Sequence, residues 1–295
     1  MTRDDEIAIC QYFTDMAGIE RIAGRLFAVQ RDNAETETLR AIFESFVVDE
    51  ERHAVVALRL ARHYDVHRYQ RYEKNPSLVR FAAAFEDVVQ HVSPEIANVY
   101  ITSGEILLDI ALLRSLNDYV DDAMSHQAMH LINRDESRHI AIDHHMVEYY
   151  ASAEYKRRRA SRPEPPLADR LKGAAAFSKF LFHARPFLKA VFFEPMDRVD
   201  PTGARLLEAF RRIQLVGLMN EVQDQPFNKF LRFLQDTFVH PIGGRIFGPL
   251  VVRIMGVDPR VIHRLYTEED ERRLRSMSFS DLAEETLAMK GEEAA

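Results

Sequence analysis

The chain has few of the residues that crosslink a fold or interrupt helices. Its 295 residues include one cysteine, no tryptophan, 11 glycines and 12 prolines. The single cysteine, Cys10, cannot form an internal disulfide or a thiolate metal cage, which excludes zinc fingers, iron–sulfur clusters and disulfide frameworks. A reducing, cytoplasmic location fits this composition best. Because 46% of the residues are apolar, the chain can still build a sizeable core without such crosslinks.

An excess of positive charge and long apolar runs are also missing. The chain has 39 Lys and Arg against 46 Asp and Glu, a formal net charge of -7, and so offers no broad surface for nucleic acid. The first residues are acidic, and no uncharged apolar run reaches the roughly 18 residues of a membrane span. The longest candidate, 241–257, is interrupted by Arg245 and Arg253. We expect no transmembrane segment, while attachment to a membrane surface stays open.

Helical periodicity dominates the first half of the chain, where glycine and proline are scarce. Apolar residues recur at helical spacing, and Ser93 followed by Pro94 is a favourable helix start. This pattern predicts an all-α protein with no sheet. The predicted helices of the first half cover about 4–30, 34–62, 77–91, 94–116 and 118–153.

Two of these helices carry nearly the same pentapeptide. The sequence is Asp-Glu-Glu-Arg-His at 49–53 and Asp-Glu-Ser-Arg-His at 135–139. Within each, glutamate and histidine are three residues apart and share one helix face. A lone pair of this kind is usually exposed. Two such pairs, with a glutamate from each of two other helices, form the ligand set of di-iron or di-manganese carboxylate bundles.

The two further glutamates are present at matching distances. Glu20 and Glu105 lie on apolar stripes and precede the pentapeptide glutamates, Glu50 and Glu136, by 30 and 31 residues. Near-equal intervals are expected of two similar helix hairpins. Burying four acids without a metal or partners would cost on the order of several kcal/mol each. The whole pattern therefore favours a metal site over a set of surface acids.

On these residues, about 4–153 resembles the ferritin-like di-iron carboxylate proteins. It is similar to their oxygen-activating branch, which includes acyl carrier protein desaturases, monooxygenase hydroxylases, arylamine N-oxygenases and ribonucleotide reductase small subunits. The resemblance implies a ferritin-like four-helix bundle over 1–155, with additional C-terminal helices from 156–295 packed on it. The metal ligands that it implies are Glu20, Glu50, His53, Glu105, Glu136 and His139. Such ligands suit two iron ions, with manganese or a mixed pair as alternatives. Glu50 and either Glu105 or Glu136 are the bridging candidates.

The resemblance also gives roles to the other charged residues of the pentapeptides. A ligating histidine needs an acceptor on its second ring nitrogen. Asp49 is expected to hold His139, and Asp135 to hold His53, while the two arginines compensate the buried carboxylates. An ordinary surface ion-pair ladder is the alternative. The residues expected around the ligands are Asp49, Arg52, Asp135 and Arg138.

Departures from the relatives narrow the class. Ala57 stands where ribonucleotide reductase small subunits carry their radical tyrosine, and Ile132 where arylamine N-oxygenases carry a third histidine. Asp109 replaces the threonine of monooxygenase hydroxylases. These differences weaken the expectation of a stable tyrosyl radical and of N-oxygenation. They do not select among the other activities. Three further histidines are expected to be exposed or to cap helices, namely His130, His144 and His145.

The predicted function is a di-iron oxygenase. It would use O2 to hydroxylate, desaturate or N-oxygenate a small or acyl-type apolar substrate. A ferredoxin or reductase is implied as electron donor because no flavin or nicotinamide motif occurs, and a homodimer is possible. Ferritin-like storage or rubrerythrin-like peroxide removal is the competing class, although no Cys-x-x-Cys pair is present. A metal-free helical scaffold that binds partners is the third.

The second half follows a boundary where the basic run at 156–159 meets a proline-rich stretch ending at Pro166. Twelve of the 19 phenylalanines lie between Phe177 and Phe247. They are expected to pack against the bundle, to wall an apolar substrate chamber or to present a face to a lipid or carrier protein. The sequence leaves these three roles open.

Overall fold

The chain was described by a computed structural model. The described residues are 2–69, 72–91, 93–107, 111, 113–161, 163, 165–219, 222–223, 226–255, 259–282 and 284–285. All regular secondary structure in these ranges is helical, with no strand, so the all-α prediction is confirmed there. Among these residues, no helix combines the length and apolarity needed to cross a membrane.

Among the described residues, three helices of 28 to 30 residues begin in the first half of the chain. A π-helical segment, Leu188–Phe193, directly continues the eighth helix after its internal Pro186. The helices are α1 (Arg3–Asp32), α2 (Glu37–Tyr64), α3 (Pro76–Val89), α4 (Pro94–Ile106), α5 (Arg114–Val120), α6 (Ala123–Ala151), α7 (Ala153–Ala160), α8 (Leu167–Phe187), α9 (Glu194–Val199), α10 (Ala204–Val216), α11 (Pro226–Val239), α12 (Gly243–Met255) and α13 (Glu268–Leu274).

The break between α5 and α6 was not predicted. The sequence pattern placed a continuous helix over 118–153, but α6 begins at Ala123. Asp121 lies in the left-handed region with a φ of 44°, a conformation that aspartate tolerates better than most residues. The Asp122 carboxylate accepts a hydrogen bond from the Ser125 amide at 2.9 Å. This aspartate therefore caps the first turn of α6 and fixes its start.

The chain groups into two compact units. The first consists of Met1–Ile101, Val120–Asp135 and Glu164–Arg198, and the second of Thr102–Tyr119, Glu136–Pro163 and Val199–Ala295. Each unit therefore draws on segments that are far apart in the sequence, and α4 and α6 contribute residues to both. The boundary expected after residue 155 stays a prediction.

In the first unit, α1 and α2 pair as an antiparallel hairpin with an aromatic core. Phe27, near the end of α1, packs on Phe46 of α2 with ring centroids 5.2 Å apart. Phe13, in the first half of α1, stacks on Tyr64 at the end of α2 at 5.8 Å. These contacts run in opposite directions along the two helices. They fix the register in which α1 faces α2.

Also in the first unit, α8 packs on α3 through phenylalanines. Phe81 of α3 stacks on Phe187 with ring centroids 4.0 Å apart and contacts Phe180 at 5.3 Å. Phe180, Phe187 and the following Phe192 are buried. Part of the phenylalanine-rich stretch therefore serves helix packing.

In the second unit, the C-terminal part of α6 packs into an apolar cluster. Val147 of α6 meets Leu215 near the end of α10, Leu274 at the end of α13, and Phe279 beyond it. Arg211 also joins α10 to α13 through an ion pair with Asp270 at 3.2 Å. The last helices of the chain thus pack on the half of α6 that follows the second pentapeptide.

Candidate metal centre

Three of the predicted ligands come together inside the first unit. Glu20 lies on α1, and Glu50 and His53 lie on α2. Their exposed fractions are 0%, 1% and 2%. Two carboxylate oxygens and one imidazole nitrogen of these residues lie within 4.8 Å of one another. We call these three residues the first triad.

The α1–α2 hairpin brings the first triad together by close backbone approach. A Cβ atom at Gly24, one turn after Glu20, would lie 3.2 Å from the Glu50 Cβ. This is tighter than most side-chain contacts allow, so the missing side chain lets α1 approach α2 at the height of Glu50. The geometry explains a glycine within a long helix, where it otherwise costs stability.

An acidic residue lies beside the histidine of the first triad. The Nε2 atom of His53 lies 3.5 Å from Oδ2 of Asp135, a residue of the same unit. This is longer than an ordinary hydrogen bond, but it directs one ring nitrogen to the carboxylate. Nδ1, the other nitrogen, lies on the opposite side of the ring. Asp135 therefore lies next to the histidine that the resemblance assigned to it.

Two ion pairs surround the first triad. Arg52 donates to the buried carboxylate of Asp49 at 3.0 Å, although its own side chain is 68% exposed. Arg21 donates through Nε and Nη2 to both oxygens of Glu51, at 3.0 and 2.9 Å, and joins α1 to α2. The hydrogen-bonded guanidinium lowers the pKa of Glu51. The second pair gives Glu51 a role in holding α1 against α2.

The other three predicted ligands come together inside the second unit. Glu105 is the penultimate residue of α4, and Glu136 and His139 lie on α6. Their exposed fractions are 2%, 0% and 0%, and one ligand atom from each lies within 4.8 Å of the others. Nδ1 of His139 lies 3.1 Å from Oε2 of Glu136. We call these residues the second triad.

A buried acid that sequence reasoning missed extends the polar face of α6. Asp143 is fully buried, four residues after His139 and seven after Glu136, so the three side chains lie on one helix face. Burial raises the pKa of Asp143 well above its ordinary value, and Glu136 raises it further while His139 opposes the shift. The spacing from Glu136 could have identified this residue, because it repeats the helical period of the ligands.

His144 corrects one expectation about the remaining histidines. It is only 2% exposed, and its ring lies 5.9 Å from that of Phe279. Burial lowers its pKa to about 4. His130 and His145 are exposed, as predicted. The prediction was wrong for His144 because the covering segment lies more than a hundred residues away in the sequence.

Four further positions from the sequence analysis are Arg138, Ala57, Asp109 and Cys10. Arg138 is exposed and Ala57 is buried, while Asp109 lies outside the described residues. The thiol of Cys10 is buried, where it donates to the Ala61 carbonyl at 3.3 Å. Desolvation raises the pKa of Cys10 to about 12. A protonated thiol in this position is neither a nucleophile nor a metal ligand.

Each triad has the chemistry of a site for a divalent metal ion. Two carboxylates and one imidazole supply hard oxygen donors and one nitrogen donor, a set that suits iron or manganese. With both glutamates ionised and the histidine neutral, a triad carries two negative charges, which one divalent cation balances. Buried carboxylates are costly without such compensation. The donor set therefore fits a metal ion, without selecting iron.

Comparisons with known proteins add no relative. No protein-family profile, curated protein or solved structure matches this chain.

Proposed function

We propose that each triad binds one metal ion and that the protein is a di-iron oxygenase. One observation carries the proposal: both Glu-Glu-His triads are buried, and within each triad the ligand atoms lie within 4.8 Å of one another. The six residues are those that the sequence pattern predicts as ligands. Asp135, whose carboxylate faces His53, directly precedes Glu136. The two triads together supply four carboxylates and two imidazoles, the ligand set of di-iron bundles.

The centre would reduce O2 with electrons from an external ferredoxin or reductase and oxidise an apolar organic substrate. The metal ions supply the redox chemistry, and this chain supplies ligand geometry and the exclusion of water. Asp135 orients the His53 ring and so selects the nitrogen that faces the carboxylates. Asp143, whose pKa is raised by burial, lies one turn beyond His139 on the same helix face.

The competing function is iron storage or peroxide removal, as in ferritins and rubrerythrins. The same ligands would serve it, so the fate of iron distinguishes the two. Loading the anaerobic protein with excess ferrous iron and admitting air should leave about two irons per chain for an oxygenase. Retention of a much larger amount as a mineral would favour storage. Failure to bind iron or manganese would favour the metal-free scaffold.

The experiment needs variants that separate ligands from neighbouring charges. Glu136→Ala and His53→Ala should lose bound metal while circular dichroism stays helical. Glu51→Gln and His145→Ala are matched controls, because each changes an exposed residue close in sequence to a predicted ligand. The controls should retain the metal and the absorbance change that follows exposure of the reduced protein to oxygen. Equal metal loss in both groups would contradict the assignment.

A further inference from the structure

Helix α8 has an exposed apolar face that helix packing does not explain. Leu167, Leu171, Leu181 and Phe182 are 69%, 62%, 53% and 76% exposed. At 3.6 residues per turn, the four side chains fall within an arc of about 100° along about 22 Å of helix. The buried Phe180 is on the opposite side, towards α3. The helix therefore has one face for packing and another that remains apolar and open.

The charge of this region differs from that of the chain as a whole. Between Lys156 and Lys189 there are ten Lys and Arg and two Asp and Glu, a net charge of +8. Since the whole chain carries -7, the remaining residues carry -15. A strongly acidic protein thus has one basic segment, and the apolar face of α8 lies inside it.

Basic side chains border the apolar face itself. Arg185 lies one turn beyond Leu181, at the C-terminal end of the apolar face, and Arg170 lies along its edge. Both are exposed. Lys172 and Lys179 lie to one side and pair with Asp169 at 3.3 Å and Asp87 at 2.5 Å. Long basic side chains can extend their charge to a polar layer while their stems cover apolar surface. Basic side chains beside an exposed apolar face can therefore meet anionic headgroups while the apolar side chains enter a membrane surface.

We propose that the exposed face of α8 binds the surface of an anionic lipid bilayer. The four apolar side chains would enter the boundary between headgroups and acyl chains, and the arginines would meet lipid phosphates and carboxylates. The face is a convex ridge on one helix, which a bilayer accepts without a preformed groove. A second copy of this chain is disfavoured, because two such faces would bring their arginines together. The proposal does not depend on metal binding.

The test is binding of the purified full-length chain to vesicles. The chain should sediment with vesicles of phosphatidylcholine and phosphatidylserine, much less with phosphatidylcholine alone, and less as salt is added. Leu171→Ser with Phe182→Ser should weaken binding by about tenfold or more. Arg170→Gln with Arg185→Gln should weaken it by about fivefold for each charge removed. All four residues are exposed, so the helical circular dichroism should be unchanged.

Phe233→Ser is the matched control, since Phe233 of α11 is 65% exposed and lies outside the basic segment. It should bind vesicles like the unmodified chain. Absence of binding to anionic vesicles would overturn the proposal, as would equal loss in the control. Dimerisation or capture of an acidic carrier protein that needs Phe182, without vesicle binding, would assign the face to a protein partner instead and also overturn it.

Discussion

The two triads use the same residue types in different surroundings. Beside the first, α1 and α2 are closely packed, with Gly24 against Glu50 and the Arg21–Glu51 ion pair across the hairpin. Beside the second, α6 continues with the buried polar residues Asp143 and His144. Ala57 stands four residues after the first histidine, where Asp143 stands after the second. Along its own helix, the first triad is thus followed by a small apolar residue and the second by two buried titratable residues.

The largest expected effect is loss of metal on removal of one carboxylate from either triad. Glu20→Gln and Glu105→Gln should each lower bound metal by about half or more, because each keeps the shape of its side chain while removing a charged ligand. In metal-free protein, both variants should unfold at a higher temperature, since a buried ionisable group is replaced by a neutral one.

Metal analysis and thermal unfolding with and without added metal measure both effects. Added metal should raise the midpoint of the unmodified chain more than that of either variant. If only one variant loses metal, only one triad is a metal site. If the variants are destabilised without metal, the carboxylates serve the fold itself.

The titratable surroundings of the second triad predict a pH effect. The pKa of His144 is lowered to about 4, whereas in the unfolded chain it should be near 6.5. Above pH 6.5 the imidazole is neutral in both states. As the pH falls from 6.5 to 4, the unfolded state binds a proton that the folded state excludes, and stability is lost. The loss should be about 2 kcal/mol at pH 5.

Urea unfolding at pH 7.5 and pH 5 measures this loss. His144→Leu should remove it, while His145→Leu, at the exposed neighbour, should keep it. The two variants are compared with the unmodified chain under the same metal-free conditions. An identical pH dependence in all three proteins would contradict the buried, neutral imidazole.

A smaller effect is expected where the backbone approaches the first triad. Gly24→Ala places a methyl group 3.2 Å from the Glu50 Cβ, so Glu50 must shift by a few tenths of an ångström. The strain should offset the gain in helix propensity and leave a loss of about 1 kcal/mol. Metal affinity should fall with it.

Gly104→Ala is the matched control beside the second triad. Gly104 adjoins Glu105, but apart from its chain neighbours and the nearby backbone of α4, no atom of the described residues lies within 4 Å of a Cβ at this position. This variant should gain roughly 0.5–1 kcal/mol from helix propensity and keep its metal. Chemical unfolding and metal titration separate the two glycines. Similar results for both would show that close packing at Glu50 has no consequence.

The smallest effect concerns the Arg21–Glu51 ion pair, which has no equivalent at the second pentapeptide. Glu51 corresponds to Ser137, which has no charge to pair with an arginine. A double-mutant cycle with Arg21→Met and Glu51→Gln should give a coupling below about 1 kcal/mol, because both side chains are largely exposed. The pKa of Glu51 is lowered by its hydrogen bond to Arg21, so the carboxylate is ionised and the coupling is present at neutral pH. The coupling should disappear as the pH falls through the lowered pKa of Glu51, because the carboxylate is then protonated. A coupling that persists in acid would contradict this origin.

The sequence was informative where one helix determines the geometry. The spacing of Glu50 and His53, and of Glu136 and His139, predicts a shared face, and Glu20 and Glu105 are buried as their apolar stripes indicate. The local turn at Asp121 was missed because its stability depends on a cap rather than on periodicity. The sequence did suggest the options for the phenylalanine-rich stretch, but not which residues pack and which are exposed.

The sequence pattern could not predict which residues of a helix are buried by segments that are distant in the sequence. His144 was expected to be exposed or to cap a helix, yet it is buried beside Phe279. Asp143 likewise owes its raised pKa chiefly to burial. Periodicity along α6 shows which residues share a face, but tertiary packing decides which faces are buried.

The number of metal ions bound per chain is the most direct test of the proposal that each triad binds one metal ion. The metal-free protein would be titrated anaerobically with ferrous iron, freed of unbound metal and analysed for iron per chain. We expect two irons per chain, falling to one or none when Glu50 and Glu136 are both replaced by alanine. No bound iron or manganese in the unmodified chain, or two irons retained by the double variant, would contradict it.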